Sequence, residues 1–460
     1  MLLYTLLKWI LSIALRVFFR RFQVDGLEML RRAKGPLILA VNHPNTFMDP
    51  LIVATLVRQR VAFIANGSIF NRFTRPLFAY FHVIPVYRKK DTSDSTLSPA
   101  ELNKRTFQRC YDYLEGKGSL LIFPEGTSEI ERRLREIKTG TARIALGAEA
   151  ENQFELGIQI LPIGLNYSDP THFRSEVFIN VGEPIHLKDF KETYRPDSFE
   201  AVEALTDLIE QRLAASVIVT DDEEEDSLVL QVEKLYKNQL FDDLQLNRKV
   251  KKHEFGLIKQ LITAVRYFET HHPEQLKFLQ VKMTNYLDSL QKLHLSDRIF
   301  TQTKRLYGNL GSTFLSLLAG FPLYVLGLLT NYIPYILPSK IARLISSDIS
   351  YRAPIMMTAG IFLFPLFYGL ETYVIHALFQ QIWVTLAFLL CVPLLGYFVL
   401  WYWDRLTRLT HLWQALRLFR QKPSLMESLS GERAKIFKAL EEAKTLYLTT
   451  ASNDAKYTVK

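Results

Sequence analysis

The chain has 460 residues, 48% of them hydrophobic, with 31 Phe, 21 Tyr and a formal net charge of +9. That length exceeds one ordinary domain, and that apolar content exceeds what soluble cores need, so membrane segments are expected. The positive balance suits an anionic membrane face. No basic stripe with interleaved aromatics supports nucleic acid, and the two distant cysteines, Cys110 and Cys391, exclude a disulfide framework or a CxxC metal site.

Residues 1–21 are mostly apolar, interrupted by Lys8 and Arg16 and closed by Arg20 and Arg21. A signal peptide carries its charges first and a small-residue cleavage site last, and neither holds here. The segment reads as a membrane anchor, spanning or lying in the interface with its basic residues toward headgroups. A core helix docked on the next domain is the alternative.

Residues 22–219 alternate between short apolar runs and helical spacing. Strands are expected at 36–41, 61–65, 83–87, 119–123, 157–166 and 176–181, with helices around 49–58, 68–80, 98–115, 141–150 and 197–215. Ser98-Pro99-Ala100-Glu101 reads as a capping box opening the third helix. Near-continuous apolar strands alternating with helices predict an α/β fold with a buried sheet.

The stretch Asn42-His43-Pro44-Asn45-Thr46-Phe47-Met48-Asp49-Pro50 leaves the first of these strands. On a continuous helix Asp49 would lie about 240° around the axis from His43, facing away. The two meet only if a turn intervenes, and Pro44-Asn45 supplies turn chemistry. So joined they make a general base with an orienting carboxylate. The alternative is a histidine in a helix-capping turn with an aspartate at a helix start.

Beyond this region, residues 220–227 hold six consecutive acids, Asp221 to Asp226, and read as a solvated linker. Residues 228–305 are polar with helical spacing, a helical extension without chemistry. Residues 306–403 form the membrane region. Stretches 354–376 and 382–403 are each long enough to span a bilayer. The stretch 312–337 carries Gly320, Pro322, Gly327 and Pro334, which favours a broken, re-entrant hairpin over a tilted span. The loop with Lys340, Arg343 and Arg352 and the tail 404–460, with Arg405, Arg408, Arg417 and Arg420, are expected to be cytoplasmic. The protein is therefore expected to be integral to the membrane, its catalytic domain on the cytoplasmic face.

A second strand, Leu120-Leu121-Ile122, runs into Phe123-Pro124-Glu125-Gly126-Thr127-Ser128. With Asn42-His43 and Asp49 it resembles the glycerolipid acyltransferase family, whose hallmark pairs an NH…D block with a later FPEGT block. Val83-Ile84-Pro85-Val86-Tyr87-Arg88 is similar to the family's strand ending in a phosphate-binding arginine, and Leu161-Pro162-Ile163-Gly164 to its proline-containing fourth block. The blocks cover roughly residues 35–167 in the family's order. One departure is that five residues, not the commoner four, separate His43 from Asp49. That form, with Pro-Asn after His, resembles the branch containing glycerol-3-phosphate and dihydroxyacetone-phosphate acyltransferases.

The resemblance implies a mixed sheet flanked by helices and transfer of an acyl group from acyl-CoA or acyl-carrier protein to a glycerol-phosphate acceptor, with membrane lipids as surroundings. It implies no metal and no cofactor. His43 would be the base and Asp49 its orienting carboxylate. Arg88 would hold the phosphate bidentately, against the alternative of a surface arginine beside Lys89 and Lys90. Ser128-Glu129-Ile130-Glu131 reads as a capping box opening a helix, so the amides of Glu125-Gly126-Thr127 could bind phosphate or a headgroup. Glu125, which would repel an anion, is assigned to an acceptor hydroxyl or to Arg88, and Lys138 is a weaker phosphate candidate. No G-x-S-x-G elbow is present, so no covalent acyl-enzyme is expected. Two other classes compete. A non-catalytic lipid-binding or scaffolding protein would be expected to have lost one of the site residues. A transporter would need more than Glu371 as an ionisable group deep in its spans. Glycerol-3-phosphate and 1-acylglycerol-3-phosphate both stay open as acceptors.

Overall fold

The computed structural model describes residues 2–33, 35–72, 74–87, 99–194, 199–297, 299–300 and 310–457. The chain divides into two compact units, Met1–Val219 with Ser339–Ile361, and Thr220–Pro338 with Phe362–Lys460.

The first unit is α/β. In chain order it contains α1 (Leu2–Phe18), β1 (Arg21–Asp25), α2 (Leu27–Arg32), β2 (Leu37–Val41), α3 (Met48–Leu56), β3 (Val61–Asn66), α4 (Thr74–Tyr80), β4 (Val83–Val86) and α5 (Pro99–Glu115). There follow β5 (Ser119–Ile122), α6 (Gly140–Glu151), β6 (Gln159–Tyr167), β7 (Glu176–Val181), β8 (Ile185–His186) and α7 (Glu200–Ser216). The strands form one mixed sheet in the order β1-β7-β6-β2-β5-β3-β4, with β8 also paired to β6. Strands β6, β2, β5, β3 and β4 run parallel, while β7 is antiparallel to β6. Parallel strands place all their carboxyl ends on one edge, where ligand-binding loops of open α/β sheets gather.

The continuous apolar run of β2 follows from burial on both faces. Ile38 and Ala40 enter one core with Leu120, Ile122, Ile160 and residues of α5, α6 and α7. Leu37, Leu39 and Val41 point the other way, into a core with Leu121, Leu161, Ile163 and residues of α1 and α3. Each such leucine or isoleucine, wholly buried, contributes about 1.5–3 kcal/mol.

All six expected strands are present, with ends shifted by two residues at most. The sequence reading missed β1, whose Arg21, Gln23 and Asp25 alternate with Phe22 and Val24 at the sheet edge, and the two-residue β8. Helix α1 docks one face, with Leu15 and Phe18 buried, and its Lys8 ammonium donates to the Val57 carbonyl. Its opposite face leaves Leu2, Leu6, Trp9 and Ile13 exposed. At 17 residues it spans about 25 Å, short of the ~30 Å hydrocarbon core. The helix expected from 98 begins at Pro99, and Ser98, its expected capping residue, lies outside the described residues.

The second unit is helical, beginning with α8 (Glu223–Asp243), α9 (Lys251–His271) and α10 (Pro273–Lys292). Two expectations are corrected here. The acidic run is no linker: the Asp222 carboxylate accepts the Glu225 N–H as N-cap, and residues 223–226 form the first turn of α8. Four acids beside the positive helix end are favourable, and Glu225 is buried against the Arg266 guanidinium at 2.7 Å. The expected re-entrant hairpin is also absent, because Leu310–Ile345 is one continuous helix enclosing Pro322, Pro334 and Pro338. Proline removes one helical donor, but in an apolar helix breaking the chain open would strand many more backbone groups than the one proline frees, so the helix persists through it. The helices Arg352–Phe379 and Ile382–Gln421 contain the two expected spans. Among the described residues, three segments are long and apolar enough to cross a membrane: Gly311–Ile345, Ile349–Phe379 and Ile382–Gln421.

Candidate active site

The exit of β2 is fixed by Asn42. Its side-chain amide donates to the Leu165 carbonyl at 3.1 Å, and its carbonyl accepts the Leu165 N–H at 2.7 Å, extending the β2–β6 ladder by one rung. The chain then turns. Met48 N–H closes on the Asn45 carbonyl at 2.8 Å, and α3 begins at Met48, so Asp49 sits in its first turn. The turn that Pro44-Asn45 required brings His43 Nδ1 to 2.9 Å from Asp49 Oδ2.

Asp49 is wholly buried. Its Oδ2 also accepts the Asn45 N–H at 2.7 Å, and its Oδ1 accepts the Tyr167 hydroxyl at 2.6 Å. A buried carboxylate is tolerated only when its lone pairs are so occupied. Because that carboxylate only accepts, Nδ1 of His43 carries the proton and Nε2 is left basic. The imidazole stacks on Phe123, with ring centroids 3.7 Å apart and planes 9° from parallel, which holds the ring plane while its side chain stays 17% exposed.

The FPEGT turn braces this arrangement. Glu125 Oε1 accepts the His43 N–H at 2.9 Å and Oε2 the Arg135 N–H at 3.0 Å. Burial pushes the Glu125 carboxyl above its ordinary range, and those two amides pull part of the way back. Glu125 thus ties the histidine backbone to the 128–139 segment, a positioning contact the sequence reading did not foresee. Gly126 takes φ +70° with open space around it, the left-handed conformation that glycine adopts without penalty. Thr127 is exposed.

No helix opens at Ser128, contrary to the capping-box expectation, since residues 127–139 are irregular. Their partners are tertiary: Ser128 Oγ accepts the Thr46 N–H at 2.8 Å and Glu129 N–H donates to the His43 carbonyl at 3.2 Å. Both groups are thereby withdrawn from a local cap. Lys138 is exposed and pairs with Glu136 at 2.7 Å, while its backbone N–H donates to the Pro124 carbonyl. Arg88 lies outside the described residues. The strand before it is held by Asn103 of α5, which accepts the Tyr87 N–H at 3.0 Å and donates to its carbonyl at 2.8 Å.

Tyr167 was not among the sequence candidates. The available signal was its place at the carboxyl end of β6, beside the exit that carries His43. Burial and the adjacent Asp49 push its phenol well above the ordinary range, so it remains a donor. Tyr167→Phe leaves Asp49 Oδ1 short of its donor and is expected to lower kcat about tenfold, the effect of one lost buried hydrogen bond. KM should hardly change. Steady-state kinetics with a melting curve check this, and a lower melting temperature at full kcat would make Tyr167 a packing residue only.

The Acyltransferase family model matches residues 21–166. An uncharacterized acyltransferase of Schizosaccharomyces pombe is 26% identical over 383 residues, 64% of this chain and 54% of the relative. Glycerol-3-phosphate O-acyltransferase 1 of Saccharomyces cerevisiae is 25% identical over 344 residues, 55% of this chain and 45% of the relative. This chain thus spans about half the length of these curated relatives. Among solved structures, the 1-acyl-sn-glycerophosphate acyltransferase of Thermotoga maritima matches 45% of this chain and 80% of its own at 18% identity, with a TM-score of 0.30. The stretch that matches the Acyltransferase family model, residues 21–166, contains His43, Asp49 and Glu125.

Proposed function

We propose that this protein moves a fatty acyl group from a thioester, acyl-CoA or acyl-carrier protein, to a hydroxyl of glycerol-3-phosphate. The observation that carries the reading is the 2.9 Å contact of His43 Nδ1 with the buried Asp49, which leaves Nε2 free as a base. A thioester carbonyl is already electrophilic, so the main tasks are deprotonating the hydroxyl and positioning it. His43 Nε2 takes the hydroxyl proton as the oxygen attacks the carbonyl. The imidazolium so formed faces Asp49, and its proton then goes to the departing thiolate. Arg88, following the strand end that Asn103 clamps, is assigned the acceptor phosphate, with Lys138, Gly126 and Thr127 as further candidates on the FPEGT side. The helix α1 and the three apolar helices would hold the domain at the cytoplasmic face of a membrane, where acyl chains reside.

Glycerol-3-phosphate is preferred over 1-acylglycerol-3-phosphate because of the Pro-Asn form of the histidine block and the match to a glycerol-3-phosphate O-acyltransferase. The test is to offer the detergent-purified full chain a labelled acyl thioester with glycerol-3-phosphate, 1-acylglycerol-3-phosphate or dihydroxyacetone phosphate and identify products by mass spectrometry. The highest kcat/KM is expected for glycerol-3-phosphate. Arg88→Ala should raise its KM more than it lowers kcat, since a phosphate clamp acts mainly in ground-state binding, and Arg88→Lys should restore only part. Preference for the acylated acceptor would overturn the substrate assignment, and an unchanged KM would overturn the role of Arg88.

A further inference from the structure

The catalytic turn touches a segment that lies far from it in sequence. Thr46 Oγ1 donates to the Ser350 carbonyl at 3.0 Å, and the rings of Phe47 and Tyr351 lie 5.8 Å apart at 50°. Ala353 and Met357, two residues further into the same segment and beyond, are buried in the core that also holds Met48 and Ile52. Residues 346–351 join two helices long and apolar enough to cross a membrane, Leu310–Ile345 and Arg352–Phe379. With both helices crossing a bilayer, the short connector between them would lie at its surface. The acyltransferase family match ends at residue 166, so this contact belongs to what the chain adds to that domain.

Phe47 directly precedes α3, four residues after His43 on the same turn, yet it is 48% exposed. The end of the preceding helix leaves Leu344 and Ile345 exposed at 87% and 66%, and the connector leaves Ile349 exposed at 52%. The Thr46 hydroxyl ties the catalytic turn to the Ser350 backbone, so that the exposed ring of Phe47 stands side by side with Tyr351. That ring thus meets Tyr351, which directly precedes a helix long and apolar enough to cross a membrane.

We propose that Phe47 and Tyr351 form a two-ring contact for the acyl chain of the thioester donor, guiding it from the bilayer surface to His43. This rests on the acyltransferase reading above and adds the chain-length selectivity of that site. The connector is thereby part of the substrate path, and the membrane region does more than anchor. A long chain lies across the surface the two rings share, while a chain of a few carbons ends before reaching them.

The experiment measures kcat/KM of the full-length protein for a series of acyl-CoA donors from four to eighteen carbons, in wild type, Phe47→Ala, Tyr351→Ala and Tyr351→Phe. Both alanine variants should lower the long-chain to short-chain ratio on the order of tenfold, the effect of losing contact to about two methylenes. Tyr351→Phe, which keeps the ring, should leave the ratio near wild type. Equal loss at every chain length would overturn the proposal and make the contact a brace for the catalytic turn. An unchanged profile in both alanine variants would overturn it too. Absence of acyl transfer by the wild type with any donor would instead sink the acyltransferase reading itself, so the two failures are distinguishable.

Discussion

His43→Ala is expected to lower kcat by roughly 10²–10⁴-fold, the usual worth of a positioned general base, with expression and membrane placement unchanged. The geometry explains why chemistry and fold separate here. The imidazole is partly exposed and lies flat on Phe123, so its removal opens a surface notch and no buried cavity. Asp49 keeps the Asn45 N–H and the Tyr167 hydroxyl as donors and is not left as an unpaired buried charge. The contacts that hold the turn use backbone groups of His43, its N–H to Glu125 and its carbonyl to Glu129, and alanine retains both. Turnover in the variant above about a tenth of wild type, against the ~10²-fold minimum expected for a base, would remove His43 from that role.

Asp49→Asn is the second large effect, and the hydrogen bonds around it specify its kind. An asparagine oxygen can still accept from His43 and Asn45, while its NH₂ donates to Tyr167, whose hydroxyl can turn and accept. The imidazole can therefore keep its orientation, and the loss is that of the negative charge facing the imidazolium as it forms. We expect kcat to fall by about 10²-fold or more with little change in KM. Adding Asp49→Asn to His43→Ala should cost almost nothing further, because the two act as one unit. Fully multiplicative losses in the double variant would mean that Asp49 acts on something other than His43.

The parts of the fold legible in the sequence are those where local pattern and burial agree. β2, β5 and β6 are apolar on both faces because helices cover both faces, and a run such as Leu37 to Val41 says so directly. The edge strand β1 alternates polar and apolar residues over five positions, too few to separate from irregular chain without its partner β7. The Ser128-Glu129-Ile130-Glu131 stretch reads as a helix start only until Thr46 and His43 compete for its polar groups. Asp221 to Asp226 likewise reads as solvated until Arg266, 41 residues beyond Glu225, supplies a countercharge. In each case a tertiary partner outweighs a local preference.

The site shows the same division. His43 and Asp49 were legible because the turn between them is encoded locally in Pro44-Asn45. Tyr167, 118 residues from Asp49, and the Thr46–Ser350 contact, across 304 residues, are set by strand order and by the return of the chain after residue 338. No spacing in the sequence announces them. The sequence assigns Glu125 to an acceptor hydroxyl or to Arg88, whereas its carboxylate accepts the backbone N–H groups of His43 and Arg135, partners that no local pattern announces.

The most direct test of the account compares thiol release with acyl transfer in one reaction of the full-length wild type. Labelled long-chain acyl-CoA and glycerol-3-phosphate are supplied together, and free thiol and acylated glycerol phosphate are quantified over time. Direct attack by an acceptor hydroxyl deprotonated at His43 predicts equal amounts of the two products, almost no thiol without acceptor, and loss of both together in His43→Ala. Thiol released at the full rate without glycerol-3-phosphate, or in His43→Ala with it, would contradict the account.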